Sequence, residues 1–535
     1  MMKKYYLILF ICIDLFSVAC SKSSNPVDPN AGLVNNPDEE VADDNLLINI
    51  NKTYQVIDGF GASDCWCGNY IGRDWSESER SDIADLLFSK EMNGGQPKGI
   101  GLSMWRSNLG AGTANLGDAS NVPDKSRRAE CYLKEDGTYD WSQAAGQRYF
   151  LKAAKDRGCN KFVLFSLSAP VWYTKNGKAY SNLGATTNLK DGYYGKFADY
   201  MAKVARHYED MGIPITLISP VNEPQYVWSS NKQEGCGWTN SQIATLCGAL
   251  DKSLTNEALD TKISLSEAGS YSFLYEKKSN DHNHSDQINT FFNSSSENYL
   301  GDLSHIGDMI GGHSYWTDSN MSQLKSVRMK LGAAAAAQGL KTYQTEWSML
   351  GGGYNGSHFK GYDNSSYMDI AMYMSQVIHS DLAYANNSAW FFWTAMDLER
   401  YGQKDRFLLI SLIPSDGVYG DISNSGTHEA RKTLWVLGNY SLFIRPGYKR
   451  VDISEGTDND CFGTAYIAPD GKTLVAVMTN FKTTTQTFVP KIDGFEATSG
   501  KRYVTSESTN LVQSDIAVNK WEVPANSVTT FVLKR

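Results

Sequence analysis

Two short strings place a carboxylate where chemistry could use it: Ser219-Pro220-Val221-Asn222-Glu223-Pro224 and Tyr343-Gln344-Thr345-Glu346-Trp347. The β-prone run Ile215-Thr216-Leu217-Ile218 leads into the first, and Lys341-Thr342-Tyr343 leads into the second. A glutamate at the C-terminal end of a buried strand is costly unless it is paired or used. Two of them facing one cavity are what glycosidic bond cleavage requires. One attacks the sugar, and the other, held neutral, protonates the leaving group, with the carboxyls roughly 5–5.5 Å apart in a retaining enzyme. The neutral acid is kept protonated by burial and by its neighbour's charge. Spacing alone leaves open which glutamate takes which role.

Other residues could serve such a pair. Asn222 can hydrogen-bond a sugar hydroxyl, plausibly the 2-OH. Pro224 ends the strand, so that Glu223 projects from the rim. Arg106 would keep a neighbouring carboxylate ionised, or else be a structural ion pair. Tyr315 could donate to a nucleophile, and His313 reads first as a satisfied hydrogen-bonding group. Trp172, Trp238, Trp347 and Trp393 lie at or beyond strand ends and are candidate sugar platforms, as are Trp66, Trp228 and Trp316; part of that set belongs to the core. Glu234 and Glu267 are further rim carboxylates that could be mistaken for the pair. Asp281-His282-Asn283-His284 reads as a solvated loop, and no cysteine pair has zinc spacing.

The elements that must position these groups follow from the pattern of apolar runs. Val56-Ile57, 99–106, 161–168, 215–221, 262–267, 309–316, 341–346 and 388–393 read as eight strands. Segments such as 194–210, 239–259 and 367–384 lie between them and carry apolar residues at helical spacing. This alternation predicts an α/β fold, a closed (β/α)8 TIM barrel over 56–440 with its site at the C-terminal rim of the strands. After about Ser441 short β-branched runs follow one another without helices, which predicts an antiparallel β-sandwich over 441–535, joined by a strand at 46–55.

The 535-residue chain is 41% hydrophobic and 20% charged, enough for a large core, and its net charge of −9 argues against a nucleic-acid or anionic-membrane surface. Lys3-Lys4, an apolar stretch from Tyr5 to Val18 and Ala19-Cys20 read as a targeting segment over 1–20, too short to span a bilayer. It resembles a bacterial lipoprotein signal with Cys20 lipidated; an ordinary secretory signal is the alternative. Residues 21–45 are polar and Pro-containing, a flexible tether. Seven cysteines lie beyond Cys20, an odd number, and few disulfides are expected.

Several strings resemble glycoside hydrolase family 30 almost end to end. They are Ile57-Asp58-Gly59-Phe60-Gly61, Trp105-Arg106-Ser107-Asn108, Ser168-Ala169-Pro170-Val171-Trp172, Asn222-Glu223-Pro224, His313-Ser314-Tyr315, Thr345-Glu346-Trp347 and Trp390-Phe391-Phe392-Trp393. The most specific is Gly438-Asn439-Tyr440-Ser441-Leu442-Phe443-Ile444-Arg445-Pro446-Gly447. The resemblance implies a retaining enzyme with Glu223 as acid/base and Glu346 as nucleophile, Arg106 supporting the nucleophile, no metal and no organic cofactor. The strings 61–66, 233–238 and 343–347 look most like the endo-β-1,6-galactanase branch; β-1,6-glucanase or xylanase activity is the alternative. A non-catalytic glycan-binding lipoprotein is a third reading, disfavoured because both carboxylates, Arg106 and Asn222 are present. The expectation is a monomer acting on polysaccharide in a bacterial envelope, on the outer membrane or secreted.

Overall fold

The structure is a computed structural model that describes residues 44–351 and 358–535. The targeting segment, the Cys20 anchor and nearly all of the tether lie outside the described residues. No helix among the described residues is long and apolar enough to cross a membrane.

Eight parallel strands close into a barrel: Gly59–Ser63, Met104–Asn108, Lys161–Phe165, Ile215–Ser219, Lys262–Ala268, Ile306–His313, Lys341–Trp347 and Asn387–Phe392. Alternate residues point inward. Met104, Val163, Leu217, Met309, Tyr343, Ala389 and Phe391 fill the interior as one apolar layer. Asp58 closes the N-terminal mouth, accepting from Lys161 at 2.6 Å and from the Tyr343 hydroxyl at 2.7 Å. Functional groups are therefore confined to the other end.

The surrounding helices follow their apolar periodicity. Tyr194–Asp210 buries Phe197, Met201, Val204, Ala205 and Tyr208 along one face. Asn240–Asn256 starts at a capping box in which Thr239 and Gln242 satisfy each other's backbone N–H groups.

The first strand departs from expectation. It lies at Gly59–Ser63 rather than at Val56-Ile57, and Val56 instead ends the sandwich strand Asp44–Val56. The reason is steric at one position: a Cβ on Gly61 would come within 2.5 Å of the Phe391 ring, so glycine is what fits there. A Gly-Phe-Gly-Ala-Ser run carries no apolar periodicity. A small sheet of Met396–Leu398, Ile410–Pro414 and Gly426–Ala430 after the eighth strand was also not anticipated.

The C-terminal strands and Asp44–Val56 form one nine-stranded sheet. Every pairing is antiparallel except Asp44–Val56 against Gln486–Asp493. The sheet folds over its own apolar face, where Trp521 stacks on Phe531 with centroids 4.4 Å apart among Leu46, Ile48 and Phe488. The helix Lys432–Ser441 joins sheet to barrel. Asn439 donates to Tyr503 O and Thr530 Oγ1, and Ser441 donates to Ile100 O. That double attachment is the physical content of the string beginning at Gly438. The seven cysteines from Cys65 to Cys461 are buried.

Candidate active site

Glu223, Glu346, Glu267, Arg106, His313, Asn222 and Tyr315 converge at the C-terminal ends of the barrel strands. Arg106 is the hub. It comes from the second strand and is 1% exposed. Its Nη1 donates to Glu346 Oε2 at 2.7 Å, and its Nη2 donates to Asn222 Oδ1 at 2.8 Å and Glu267 Oε2 at 3.3 Å. Because Asn222 accepts through Oδ1, its amide N–H groups are turned toward the cavity that Asn222 lines. His313 ends the sixth strand and lies between Glu223 Oε1 at 2.9 Å and Glu267 Oε2 at 3.2 Å. The Tyr315 hydroxyl donates to Glu346 Oε1 at 3.2 Å.

Glu223 and Glu346 open onto a cavity of about 290 Å³, and the reactive oxygens of Glu223, Glu346 and the His313 ring lie within 4.8 Å of one another. Glu223 holds its place through an unusual backbone, with φ of 45° and its N–H donating to Glu267 O at 2.8 Å. A left-handed non-glycine residue costs of order 1 kcal/mol, which the surrounding contacts must offset. Gly269 makes room for the carboxyl, since a Cβ there would come within 2.8 Å of Glu223 Oε1.

The electrostatics separate three carboxyls that look alike in sequence. Burial pushes the Glu223 carboxyl above the usual range, and the Glu346 charge adds to it, against the opposing pull of His313. Burial also acts to raise Glu267, but Arg106, His313 and Ser219 outweigh it and hold that carboxyl at about 2. Burial acts to lower His313, yet the flanking glutamates hold it at about 9, a stable imidazolium. Glu267 is 0% exposed against 7% for Glu223 and 5% for Glu346, so substrate cannot reach it. It serves as a fixed counter-charge. Glu234 is likewise enclosed, accepting from the Ala111 and Thr113 N–H groups and from the Thr113 hydroxyl.

Glu223, His313 and Glu346 form the one group among the described residues with metal-ligand spacing. The donor chemistry does not suit an ion. An imidazolium donating from both nitrogens has no lone pair to offer, and the Arg106 guanidinium already occupies Glu346. In the loop at 281–284, both ring nitrogens of His284 are engaged, by Asp281 and by Ala185 O.

The tryptophans divide. Trp393 lines the cavity, with Trp66 and Trp228. Trp347 does not: it follows Glu346 on the strand and so points to the opposite face, donating to Asp318 at 2.7 Å. Trp238 is 1% exposed and stacked against Phe197 in the core. Trp172 donates to Leu133 O outside the cavity. Among the cavity residues not singled out in the sequence are Arg127 and Asp397, which form a buried ion pair on its wall. Lys125-Ser126-Arg127-Arg128 reads as a solvated basic run, and nothing local marks Asp397.

A stability profile follows. His313 is bound in its charged form, so its contribution is complete below about 6.5, its ordinary value, and drains as pH rises toward about 9. Glu267 is bound as an anion, so its contribution is complete above about 4.5 and is lost as pH falls toward about 2. Denaturant titrations across pH should show greatest stability between these limits. His313→Gln should flatten the alkaline slope; an unchanged slope would refute the assignment.

Comparison with known proteins agrees with this geometry. The pattern of O-glycosyl hydrolase family 30 matches residues 43–408. An endo-β-1,6-galactanase of Hypocrea rufa is 25% identical over 426 residues, covering 76% of each chain. A glucuronoxylanase of Bacillus subtilis is 25% identical over 370 residues, 66% of this chain and 70% of its own. The crystal structure of a conserved exported protein from Bacteroides fragilis superposes with a TM-score of 0.85 at 31% identity, covering 91% of this chain and all of that one. With its closed parallel barrel, its mostly antiparallel companion sheet and a family match over most of its length, this chain belongs to O-glycosyl hydrolase family 30 and is a glycoside hydrolase.

Proposed function

We propose that the protein is an endo-β-1,6-galactanase that works by double displacement, with Glu346 as nucleophile and Glu223 as acid/base. The observation that carries this reading is the placement of the two carboxyls. They share one cavity with oxygens within 4.8 Å, the range of a retaining pair rather than of one separated by a water, roughly 6.5–9.5 Å. Their environments differ in the sense the roles need: Arg106 and Tyr315 orient Glu346, while burial keeps Glu223 protonated.

In the first step Glu346 attacks the anomeric carbon as Glu223 gives its proton to the departing glycosidic oxygen. Glu346 becomes an ester and its charge disappears. The Glu223 carboxylate then takes a proton from water, which attacks the same carbon, releases Glu346 and leaves the configuration retained. Asn222 presents its amide N–H groups to the 2-OH, where hydrogen bonds strengthen in the transition state.

The substrate assignment draws support from the galactanase relative and from the charge of the cleft. Among the described cavity residues the one cation on the outer wall, Arg127, is ion-paired with Asp397, and Lys175 outside the cavity pairs with Asp191. A glucuronate-bearing chain would find no unpaired cation there, whereas a neutral galactan needs none. A lipid anchor at Cys20 in a bacterial envelope is proposed on residues 1–24 alone.

The test is a product profile against de-arabinosylated β-1,6-galactan, β-1,6-glucan and glucuronoxylan, using protein lacking residues 1–20. Galactobiose and longer oligomers from the galactan alone are expected. Products from glucan or xylan only would overturn the substrate and keep the mechanism.

A further inference from the structure

The ion pair between Arg127 and Asp397 has no part in the proton transfers, yet it is built into the reaction cavity. Arg127 Nη1 donates to Asp397 Oδ1 at 3.0 Å and Nη2 to Oδ2 at 2.8 Å, a bidentate fork. The guanidinium lies over the rings of Trp66 at 4.8 Å and Tyr401 at 3.7 Å. Asp397 Oδ1 also accepts from the Cys67 thiol at 3.3 Å and the Leu398 N–H at 2.8 Å. The two residues are 9% and 3% exposed, so the pair is rigid and largely desolvated.

Its hydrogen-bonding capacity is not used up. The Arg127 guanidinium has five N–H donors, of which Asp397 takes two, and it has no second hydrogen-bond acceptor among the described residues. Asp397 Oδ2 accepts from Arg127 alone. An N–H donor beside a carboxylate oxygen is what a vicinal sugar diol needs: one hydroxyl oxygen accepts while the other hydroxyl donates.

Chemistry says which sugar would meet it. Glu223 must touch the oxygen of the leaving sugar, and Trp228 and Gln233, on the loop that follows Glu223, line that side. The ring attacked by Glu346 therefore extends the other way, toward Trp66 after the first strand and Asp397 after the eighth. Arg127 and Asp397 line the same cavity of about 290 Å³ as Glu223 and Glu346, so a sugar ring held by the pair lies within their reach.

We propose that Arg127 and Asp397 grip the C3–C4 diol of the glycone sugar and set the enzyme's choice between C4 epimers, galacto against gluco. The proposal rests on the glycosidase reading and specifies its glycone selectivity. The axial-to-equatorial change at C4 from galacto to gluco moves one oxygen out of the fork and leaves buried polar groups unpaired, which discriminates far more strongly than an apolar contact does.

The test measures kcat/KM on nitrophenyl β-glycosides of β-1,6-galactobiose and β-1,6-glucobiose, for wild type, Arg127→Lys and Asp397→Asn. The wild type should prefer the galactoside, and the ratio should fall at least about tenfold in both variants. Melting curves report whether the variants fold. If they do not, a 4-deoxy galactobioside with the wild-type protein probes the same contact without mutation and should lose a similar factor. Equal losses on both epimers, an undiminished 4-deoxy substrate, or a wild type without preference would overturn the proposal. Hydrolysis of neither epimer by the wild type would instead refute the galactanase reading beneath it.

Discussion

Glu346→Gln is expected to reduce turnover by roughly four orders of magnitude or more while the protein stays folded. The amide is nearly isosteric with the carboxylate; its one oxygen can still accept from Arg106 in place of Oε2, while its NH2 takes the Oε1 position and can donate to the Tyr315 hydroxyl. Arg106 also keeps Glu267 and Asn222, so no buried guanidinium is stranded. What vanishes is the attacking anion, and with it the covalent intermediate. A 2-deoxy-2-fluoro glycoside should trap that intermediate in the wild type as a mass increase on the peptide containing Glu346. Near-normal turnover in the variant, or a label on another residue, would sink the nucleophile assignment.

The second large effect is at Glu223. Glu223→Ala should lower kcat on natural glycan by about 10²–10⁴-fold, the usual worth of a positioned acid/base. The loss should divide by substrate. A dinitrophenyl leaving group needs no proton, so formation of the glycosyl ester should survive and its hydrolysis become limiting. Azide needs no base, and it should accelerate turnover and yield a glycosyl azide of retained configuration. Absence of rescue would count against the acid/base role. In the wild type, activity should fall on the alkaline side as Glu223 loses its proton, above the ordinary glutamate range because burial raises it.

Much of the frame was legible in the sequence because barrel strands and helices bury faces with different periods. The strand-end glutamates stood out because a carboxylate after an apolar run is expensive. Glu267 shares that signature, and along the chain only the flanking Asn222 and Pro224 of Glu223 separate the two. The difference is tertiary: Arg106 and His313 lie over Glu267 and leave it no exposed surface. The first strand was misplaced because its Gly61 is fitted against Phe391, a contact more than 300 positions away. Arg127 and Asp397 were invisible for a related reason, since each sits in a three-residue element too short to show periodicity and acquires meaning only beside the other. Trp347 shows the limit of reading by proximity, because a neighbour of the nucleophile in sequence faces away from it in space.

The two fixed cations and the fixed anion around the pair have a consequence for the whole cycle. In the proposed mechanism Arg106 and His313 face Glu267 and Glu346 at the start, and burial favours the neutral form of Glu223. After the first displacement Glu346 is an ester and Glu223 has surrendered its proton, so the negative charge has moved from one side of the cavity to the other without changing in amount. His313 lies 2.9 Å from Glu223 and 3.8 Å from Glu346, so the same imidazolium faces the charge in either location. Both halves of the proposed reaction thus run at constant net charge within the cavity. No counter-ion has to enter, and the surrounding dipoles set for the first step remain correctly set for the second.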